Sequence, residues 1–205
     1  MKKNNQKKSF FHLWPIYLVI IFAVGFAFSW AIDLKTAPKK EEKLDFCMCL
    51  NNLDVSGLTT RIKENNTYEL KEINYQKLFP NLIQFDQLYF ALEQNVDFFV
   101  IPNGILDNKF TTYYRYFAPL TNEYITNNLG SGVETYTYED KIYGIKIYDQ
   151  ATDKGLSSDL IQYKNAPIDK KDFYLFLNKN SVHHETTKTC PSFYDVVKSL
   201  IHEEK

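Results

Sequence analysis

The stretch Val96-Asp-Phe-Phe-Val-Ile101, followed by Pro102-Asn103-Gly104, decides the fold that the sequence predicts. Its β-branched and aromatic residues are typical of a short buried strand, and the proline and glycine after it predict the end of that strand. Four further elements precede it, alternately strand and helix, over 44–50, 55–64, 68–75 and 85–94. An alternation of strands and helices predicts right-handed crossovers and an α/β fold with a single, mainly parallel sheet flanked by helices.

The second half of the chain predicts a hairpin, one more strand and a closing helix. Residues 133–138 and 141–148 have the alternating pattern of two paired strands joined by a tight turn. A strand over 172–177 follows, and a helix over 192–202 begins at Ser192, a favourable N-cap residue. We expect the 172–177 strand to join the parallel core, the 141–148 strand to lie at an edge, and helices to cover both faces.

The stretch from Leu13 to Ile32 contains no charged residue, and Trp14 and Trp30 lie near its ends. About 20 helical residues span the hydrocarbon core of a membrane, and indole rings favour its interfaces. The lysines before this stretch have no acidic residue among them, which predicts a cytoplasmic N-terminus by the positive-inside rule. A signal peptide cleaved after Ala31 is the alternative.

These features divide the chain into a cytoplasmic tail (1–12), a transmembrane helix (13–32), a solvated tether (33–43) and an extracytoplasmic domain (44–205). The predicted location is therefore the cell membrane, with a single pass and the domain outside. After Ile32 the chain carries 20 basic residues against 25 acidic ones, a net charge of −5. Because nucleic-acid binding needs a cationic face, this balance argues against a nucleic-acid partner.

The three cysteines, Cys47, Cys49 and Cys190, are too few for a disulfide scaffold and match no zinc-binding spacing. Cys47 and Cys49 share one face if they lie on a strand. We expect buried thiols, since free cysteine behaves as a small apolar residue. A bridge from Cys190 to one of the other two is the alternative in an oxidising compartment.

The sequence shows no catalytic or metal-binding signature. His183-His184-Glu185 predicts a solvated loop rather than a metal site completed by His202, because adjacent side chains of an extended segment point apart. Ser131 lies between glycines but lacks the strand and helix of a nucleophile elbow, which predicts a flexible loop. Asp97 is expected to accept structural hydrogen bonds rather than to act as an acid catalyst. The sequence therefore predicts a non-enzymatic protein without cofactor or metal.

Three stretches, taken in order, resemble the extracellular solute-binding proteins of bacterial ABC importers, the maltodextrin-binding class. Residues 96–103 are similar to the strand that ends the family's first βαβ unit, and residues 138–147 to its hairpin. Residues 173–181, with the closing helix, resemble its returning strand and the helix after it. Asp140 and Lys146 stand where the family's hairpin has glycine and proline.

The resemblance implies a periplasmic-binding-protein-like fold with one lobe only. About 25 residues, from Tyr148 to Asp172, stand where the family inserts its second lobe. The implied function is a membrane-anchored, non-enzymatic binding or accessory module, linked to carbohydrate transport and to ABC importer components. The alternative is a structural or assembly protein of the cell envelope that uses its domain for contacts with other proteins.

Candidate binding residues follow from the predicted sheet. In open α/β sheets, ligands bind beyond the carboxyl ends of the parallel strands. These ends carry Asn51 and Asn52 after the first strand, and Asn103 and Gly104 after the third. Their amides suit a neutral polar solute or a partner loop, and turn formation is their alternative role. Tyr143 in the hairpin is a candidate stacking ring.

Overall fold

The computed structural model describes residues 5–49, 55–78, 96–152, 154–155 and 172–201. The chain forms two compact units, Met1–Pro38 and Lys39–Lys205. Helix α1, Asn5–Thr36, belongs to the first unit. Its segment Trp14–Asp33 is long and apolar enough to cross a membrane, and none of it is buried within the protein. A helix with these properties near an N-terminus is a membrane anchor or a signal sequence.

The second unit is built on one sheet, to which the described residues contribute seven strands. In chain order these strands are β1 (Lys43–Cys49), β2 (Glu72–Leu78), β3 (Phe98–Pro102), β4 (Thr135–Tyr138), β5 (Lys141–Asp149), β6 (Lys154–Gly155) and β7 (Phe173–Leu177). They lie in the order β2-β1-β3-β7-β5-β4, and the short β6 pairs with β5. The helices of this unit are α2 (Val55–Asn65), α3 (Asn103–Tyr113), α4 (Asn122–Leu129) and α5 (Phe193–Ile201), with 3-10 turns at Lys40–Glu42 and Tyr114–Tyr116.

The sheet is mixed, so the predicted mainly parallel sheet is wrong. Strand β1 is parallel to β2 and β3, as expected, but β3–β7, β7–β5, β5–β4 and β5–β6 are antiparallel. Strand β7 begins at the edge of the sheet where β3 ends, with Phe173 opposite Pro102. At that edge the N–H of Asn103 donates to the carbonyl oxygen of Asp172 at 3.0 Å. The 141–148 strand is not at an edge either, since β5 lies between β7 and β4.

Side chains of successive strand residues alternate between two cores, one on each face of the sheet. The first core is covered by α2 and α5 and contains Leu44, Phe46, Met48, Leu58, Ile62, Phe98, Val196, Val197 and Leu200. The second is covered by α3 and is richer in aromatic rings, with Phe99, Ile105, Leu106, Phe110, Phe117 and Phe176. The period of two along each strand, visible in the sequence, is the pattern that sorts these residues.

The cysteines behave as the sequence predicts. Cys47 and Cys49 lie on one face of β1, in the second core, and all three thiols are free and buried. Burial raises the pKa of the Cys47 thiol, so it stays protonated at neutral pH. The sulfur of Cys190 lies 3.6 Å from the carbonyl oxygen of Val182, to which it donates.

The predicted hairpin and the start of the closing helix are confirmed. Glu139 and Asp140, at the tip of the hairpin, have φ values of 48° and 60°, as the two central residues of a type I′ turn require. At the start of α5, the Ser192 hydroxyl accepts from the N–H of Asp195 at 3.3 Å, and the Ser192 N–H donates to the Asp195 carboxylate at 2.9 Å. These reciprocal bonds satisfy donors that an uncapped helix leaves unpaired.

Several predicted boundaries differ from the structure, and some predicted features lie outside the described residues. Strand β2 begins at Glu72 rather than at 68, and helix α3 begins directly after β3, where the sequence predicted a turn. Proline is tolerated beside the first helical turn, since that turn's N–H groups have no partner within the helix. The helix predicted over 85–94 and residue 50 are not among the described residues.

Candidate functional site

The carboxyl edge of the sheet is where the sequence places a binding site. Strand β3 ends there, and Asn103 and Gly104 form the first turn of helix α3; both are partly exposed. The structure therefore brings these two residues to the predicted edge, in a helix rather than in a loop. Asn51 and Asn52 lie outside the described residues, so their position at this edge stays a prediction.

Tyr143 does not offer an open stacking ring. Its side chain is 6% exposed and packs edge-on against Phe110 and near Tyr114, with ring centroids 5.5 and 6.1 Å away. It also lies near the amino end of β5, at the opposite end of that strand from the carboxyl edge. Burial, with smaller effects from Tyr114 and Glu139, raises the pKa of its hydroxyl. Tyr143 therefore belongs to the second core.

A lysine bound by three carboxylates lies at the carboxyl edge, and the sequence did not predict it. The Lys146 ammonium is 2.7 Å from Glu134, 2.8 Å from Asp149 and 3.1 Å from Asp172. Burial alone lowers its pKa, but the three bonds outweigh this and raise the pKa of Lys146. Its bond to Asp149 in turn holds the pKa of that carboxyl well below the usual range. We call these four residues the lysine cluster.

The charges of the lysine cluster are paired with one another, so the cluster stabilises the carboxyl edge and leaves no free ammonium for a ligand. An ammonium group has three N–H bonds, and three carboxylates take them up. Asp149 also accepts from the N–H of Thr152 at 2.8 Å, and Asp172 from the N–H of Gln150 at 2.9 Å. The signal in the sequence was Lys146 itself, a charged residue within an apolar strand that must find a partner once it is buried.

A second charged group lies at the amino ends of β1 and β3, around Asp97. This carboxylate is 7% exposed and accepts from the N–H of Asp45 at 3.0 Å and from the hydroxyl of Ser181 at 2.7 Å. Burial raises the pKa of Asp97, while Ser181 and His183 oppose that rise. The expected role of Asp97 as a structural hydrogen-bond acceptor is confirmed.

His183 completes this group, which we call the histidine cluster: Asp45, Asp97, Ser181 and His183. Its ring is fully buried, with Nδ1 2.7 Å from the carbonyl oxygen of Pro191, Nε2 2.9 Å from that of Lys43, and Nε2 4.0 Å from Asp97. The predicted solvated loop is therefore wrong for His183.

The two residues after His183 take different directions. His184 is exposed. The Glu185 carboxylate accepts from the N–H of Thr121 at 2.8 Å and from the hydroxyl of Tyr194. The sequence predicts that neighbouring side chains of an extended segment point apart. It does not predict which of them points inward, because that depends on contacts with residues far away in the chain.

Ser181, His183 and Asp97 have the composition of a catalytic triad but not its geometry. The Ser181 hydroxyl donates to Asp97 and accepts from the backbone N–H of His183 at 3.1 Å, while both ring nitrogens of His183 face backbone carbonyls. In a catalytic triad the imidazole accepts the proton of the serine hydroxyl, whereas here the hydroxyl donates to Asp97 instead. These bonds hold the backbone together instead.

Among the described residues, no group of three or more His, Cys, Asp or Glu side chains is placed to hold a metal ion. No protein-family model matches the chain, and no curated protein sequence matches it.

Proposed function

We propose that this protein is a membrane-anchored, extracytoplasmic, non-enzymatic binding or accessory module, related to one lobe of the solute-binding proteins of ABC importers. The supporting observation is where the three stretches that resemble the family lie. Residues 96–103, 138–147 and 173–181 are far apart in the chain, yet they supply β3, β5 and β7, which are neighbours in the order β3-β7-β5. A resemblance spread over three separate stretches thus falls on one continuous piece of sheet.

The anchor in this proposal is the apolar segment Trp14–Asp33 of α1. Lysines precede it without acidic residues among them, so the positive-inside rule favours a cytoplasmic N-terminus and an external domain. Protease added to intact spheroplasts should digest the domain and leave the short N-terminal tail. Protection of the domain until the cells are lysed would overturn this topology.

The carboxyl edge favours a protein partner over a free solute. At this edge the Lys146 ammonium is already bound by three carboxylates and is not open to a ligand. A single lobe also has no second lobe to close over a solute, whereas a good pocket buries about 70–90% of its ligand. We propose that the edge beside Asn103 and Gly104 contacts an importer component or another envelope protein.

A thermal-shift measurement tests for solute binding, because a ligand that binds the native state raises the melting temperature of the protein. The full chain in lipid nanodiscs is heated with a panel of oligosaccharides. We expect no shift, consistent with dissociation constants of about 1 mM or weaker. Binding of an oligosaccharide at micromolar concentration by the monomer would overturn the one-lobe argument.

A photo-crosslinking amino acid at position 103 tests the protein contact in cells. The matched control places the same group at Tyr124, which is 40% exposed on helix α4 and away from the carboxyl edge. We expect a discrete crosslinked protein from position 103 and none from position 124. The same product from both positions, or none from position 103, would contradict the proposed interface. A structural or assembly role is favoured if the crosslinked protein is not an importer component.

A further inference from the structure

Both ring nitrogens of His183 face oxygen atoms that can only accept hydrogen bonds. Nδ1 is 2.7 Å from the carbonyl oxygen of Pro191, and Nε2 is 2.9 Å from that of Lys43. A neutral imidazole carries one N–H, so its other nitrogen would direct a lone pair at a carbonyl oxygen. Only the imidazolium ion, with two N–H groups, satisfies both contacts.

The charged groups around the ring suit a buried cation. The Asp97 carboxylate lies 4.0 Å from Nε2 and faces it from the start of β3. On β1, the Asp45 carboxylate pairs with the Lys43 ammonium at 2.7 Å, so these two charges offset each other. On the segment around α5, Glu185 is bound to Thr121, and Asp195 to Ser192. Among the described residues, Asp97 is the carboxylate within 4.0 Å of the ring, and it offsets the imidazolium charge, as a buried cation requires.

The ring joins two parts of the domain that are distant in the chain. Lys43 is the first residue of β1, directly after the turn Lys40–Glu42, and Pro191 precedes the N-cap of α5. We propose that His183 is a pH-sensitive clamp that holds the start of the first strand to the segment 181–191 while its ring carries two protons. When the ring loses one proton, one of the two carbonyl contacts changes from attraction to repulsion, and the clamp opens.

The sign of the pH dependence follows from this chemistry. Both bonds are present while the ring carries two protons, and one of them is lost when a rise in pH removes a proton from the ring. At high pH the start of β1 is therefore held less tightly to the segment 181–191. This inference does not depend on the proposed binding function.

Nitrogen-15 spectra of the histidine rings test the protonation state without altering His183. The full chain, labelled at histidine and held in detergent micelles, carries His12→Gln, His184→Gln and His202→Gln, so that the remaining signals belong to His183. We expect both nitrogens to show the protonated signature at pH 7. A single protonated nitrogen at pH 6 and below would overturn the proposal. A parallel sample that keeps His184 as its only histidine gives the behaviour of an exposed ring for comparison.

Urea unfolding across pH 5–9 tests the clamp itself. The unfolding constant of the wild type should be roughly 10- to 100-fold smaller than that of His183→Gln at the acidic end, the effect of a hydrogen bond to a charged group. The ratio should shrink as the pH rises, while His184→Gln stays within about 2-fold of the wild type throughout. A ratio that does not change with pH would overturn the clamp. If His183→Gln does not fold, the wild type alone decides: stability must fall in step with loss of the second ring proton.

Discussion

The sheet carries a charged cluster at each end, and the two are built differently. In the histidine cluster, at the amino ends of β1 and β3, Asp97 is 7% exposed and His183 is fully buried. In the lysine cluster, at the carboxyl edge, the Lys146 side chain is 9% exposed, but the carboxylates around it are 24–61% exposed. In the first cluster the His183 ring is closed off from water and Asp97 nearly so, whereas the second cluster shares its charges with solvent.

This difference predicts which cluster the fold depends on. A buried ion that loses its partner keeps its full desolvation penalty, because water does not reach it. A half-exposed carboxylate that loses its partner is hydrated instead, and the cost is smaller. We therefore expect the histidine cluster to stabilise the fold and the lysine cluster to shape a hydrated surface at the edge where we propose a partner binds.

The largest effect is expected from Asp97→Ala. The substitution removes the acceptor for the Asp45 N–H and the Ser181 hydroxyl, and the carboxylate that faces His183. Removal of one member of a buried pair costs about 3–5 kcal/mol. Urea unfolding at pH 6 measures this loss. The matched control, Asp149→Ala in the lysine cluster, should cost clearly less, and equal losses would show that burial does not distinguish the two clusters.

A smaller loss is expected from Lys146→Met, which leaves three carboxylates near one another without their shared donor. Because water reaches each of them, we expect a cost of about 1–3 kcal/mol in urea unfolding at pH 7. Lys141→Met, on the exposed start of the same strand, is the control and should stay within about 0.5 kcal/mol of the wild type. A cost for Lys146→Met above that for Asp97→Ala would reverse the ranking of the clusters.

The elements of the fold could largely be predicted from the sequence, because strand and helix periods are local. The alternation that placed Cys47 and Cys49 on one face and the cap at Ser192 needs only neighbouring residues. The direction of β7 could not be predicted, since an apolar strand has the same pattern in either direction. That direction depends on contacts such as the one between Asn103 and Asp172, which lie far apart in the chain.

The charged clusters show the same limit more sharply. His183 lies in a polar run that indicates a surface loop, and its burial depends on Lys43, 140 residues away. Lys146 is a charged residue within an apolar strand, but its partner Glu134 is not distinguished from the other acidic residues of the sequence. Tyr143, in the predicted hairpin, was a candidate stacking ring. The aromatic residues of helix α3 bury it, and the sequence did not predict that helix.

Acid should weaken the lysine cluster. The bond from Lys146 holds the pKa of Asp149 well below the usual range, so the stability it contributes is present above the ordinary pKa of an aspartate, about 3.9, and is lost as the pH falls toward the lower folded value. We expect the difference in stability between wild type and Asp149→Asn in urea unfolding to be full at pH 6 and to shrink steadily as the pH falls below about 3.9. A difference that persists unchanged at pH 2 would contradict this ionisation. The proposed histidine clamp has the opposite pH dependence, because its contribution to stability is lost as the pH rises. The lysine cluster therefore limits stability in acid and the histidine cluster limits it in alkali.

The smallest effect is expected at Lys43, which takes part in one buried contact and in one partly exposed ion pair. Its carbonyl oxygen accepts from the buried His183 ring, while its ammonium forms a pair with Asp45 and its side chain is 30% exposed. Lys43→Gln keeps the carbonyl and removes the pair, and a partly exposed ion pair contributes about 0–1 kcal/mol. Urea unfolding should therefore change by no more than that, and the two protonated nitrogens of His183 should persist in the ring spectra. If Lys43→Gln instead removes one of those protons, the side-chain charge of Lys43 and Asp45, rather than the backbone carbonyl, sets the state of His183. A partly exposed charge pair would then control the buried His183 ring, and exposure to water would no longer distinguish the two clusters.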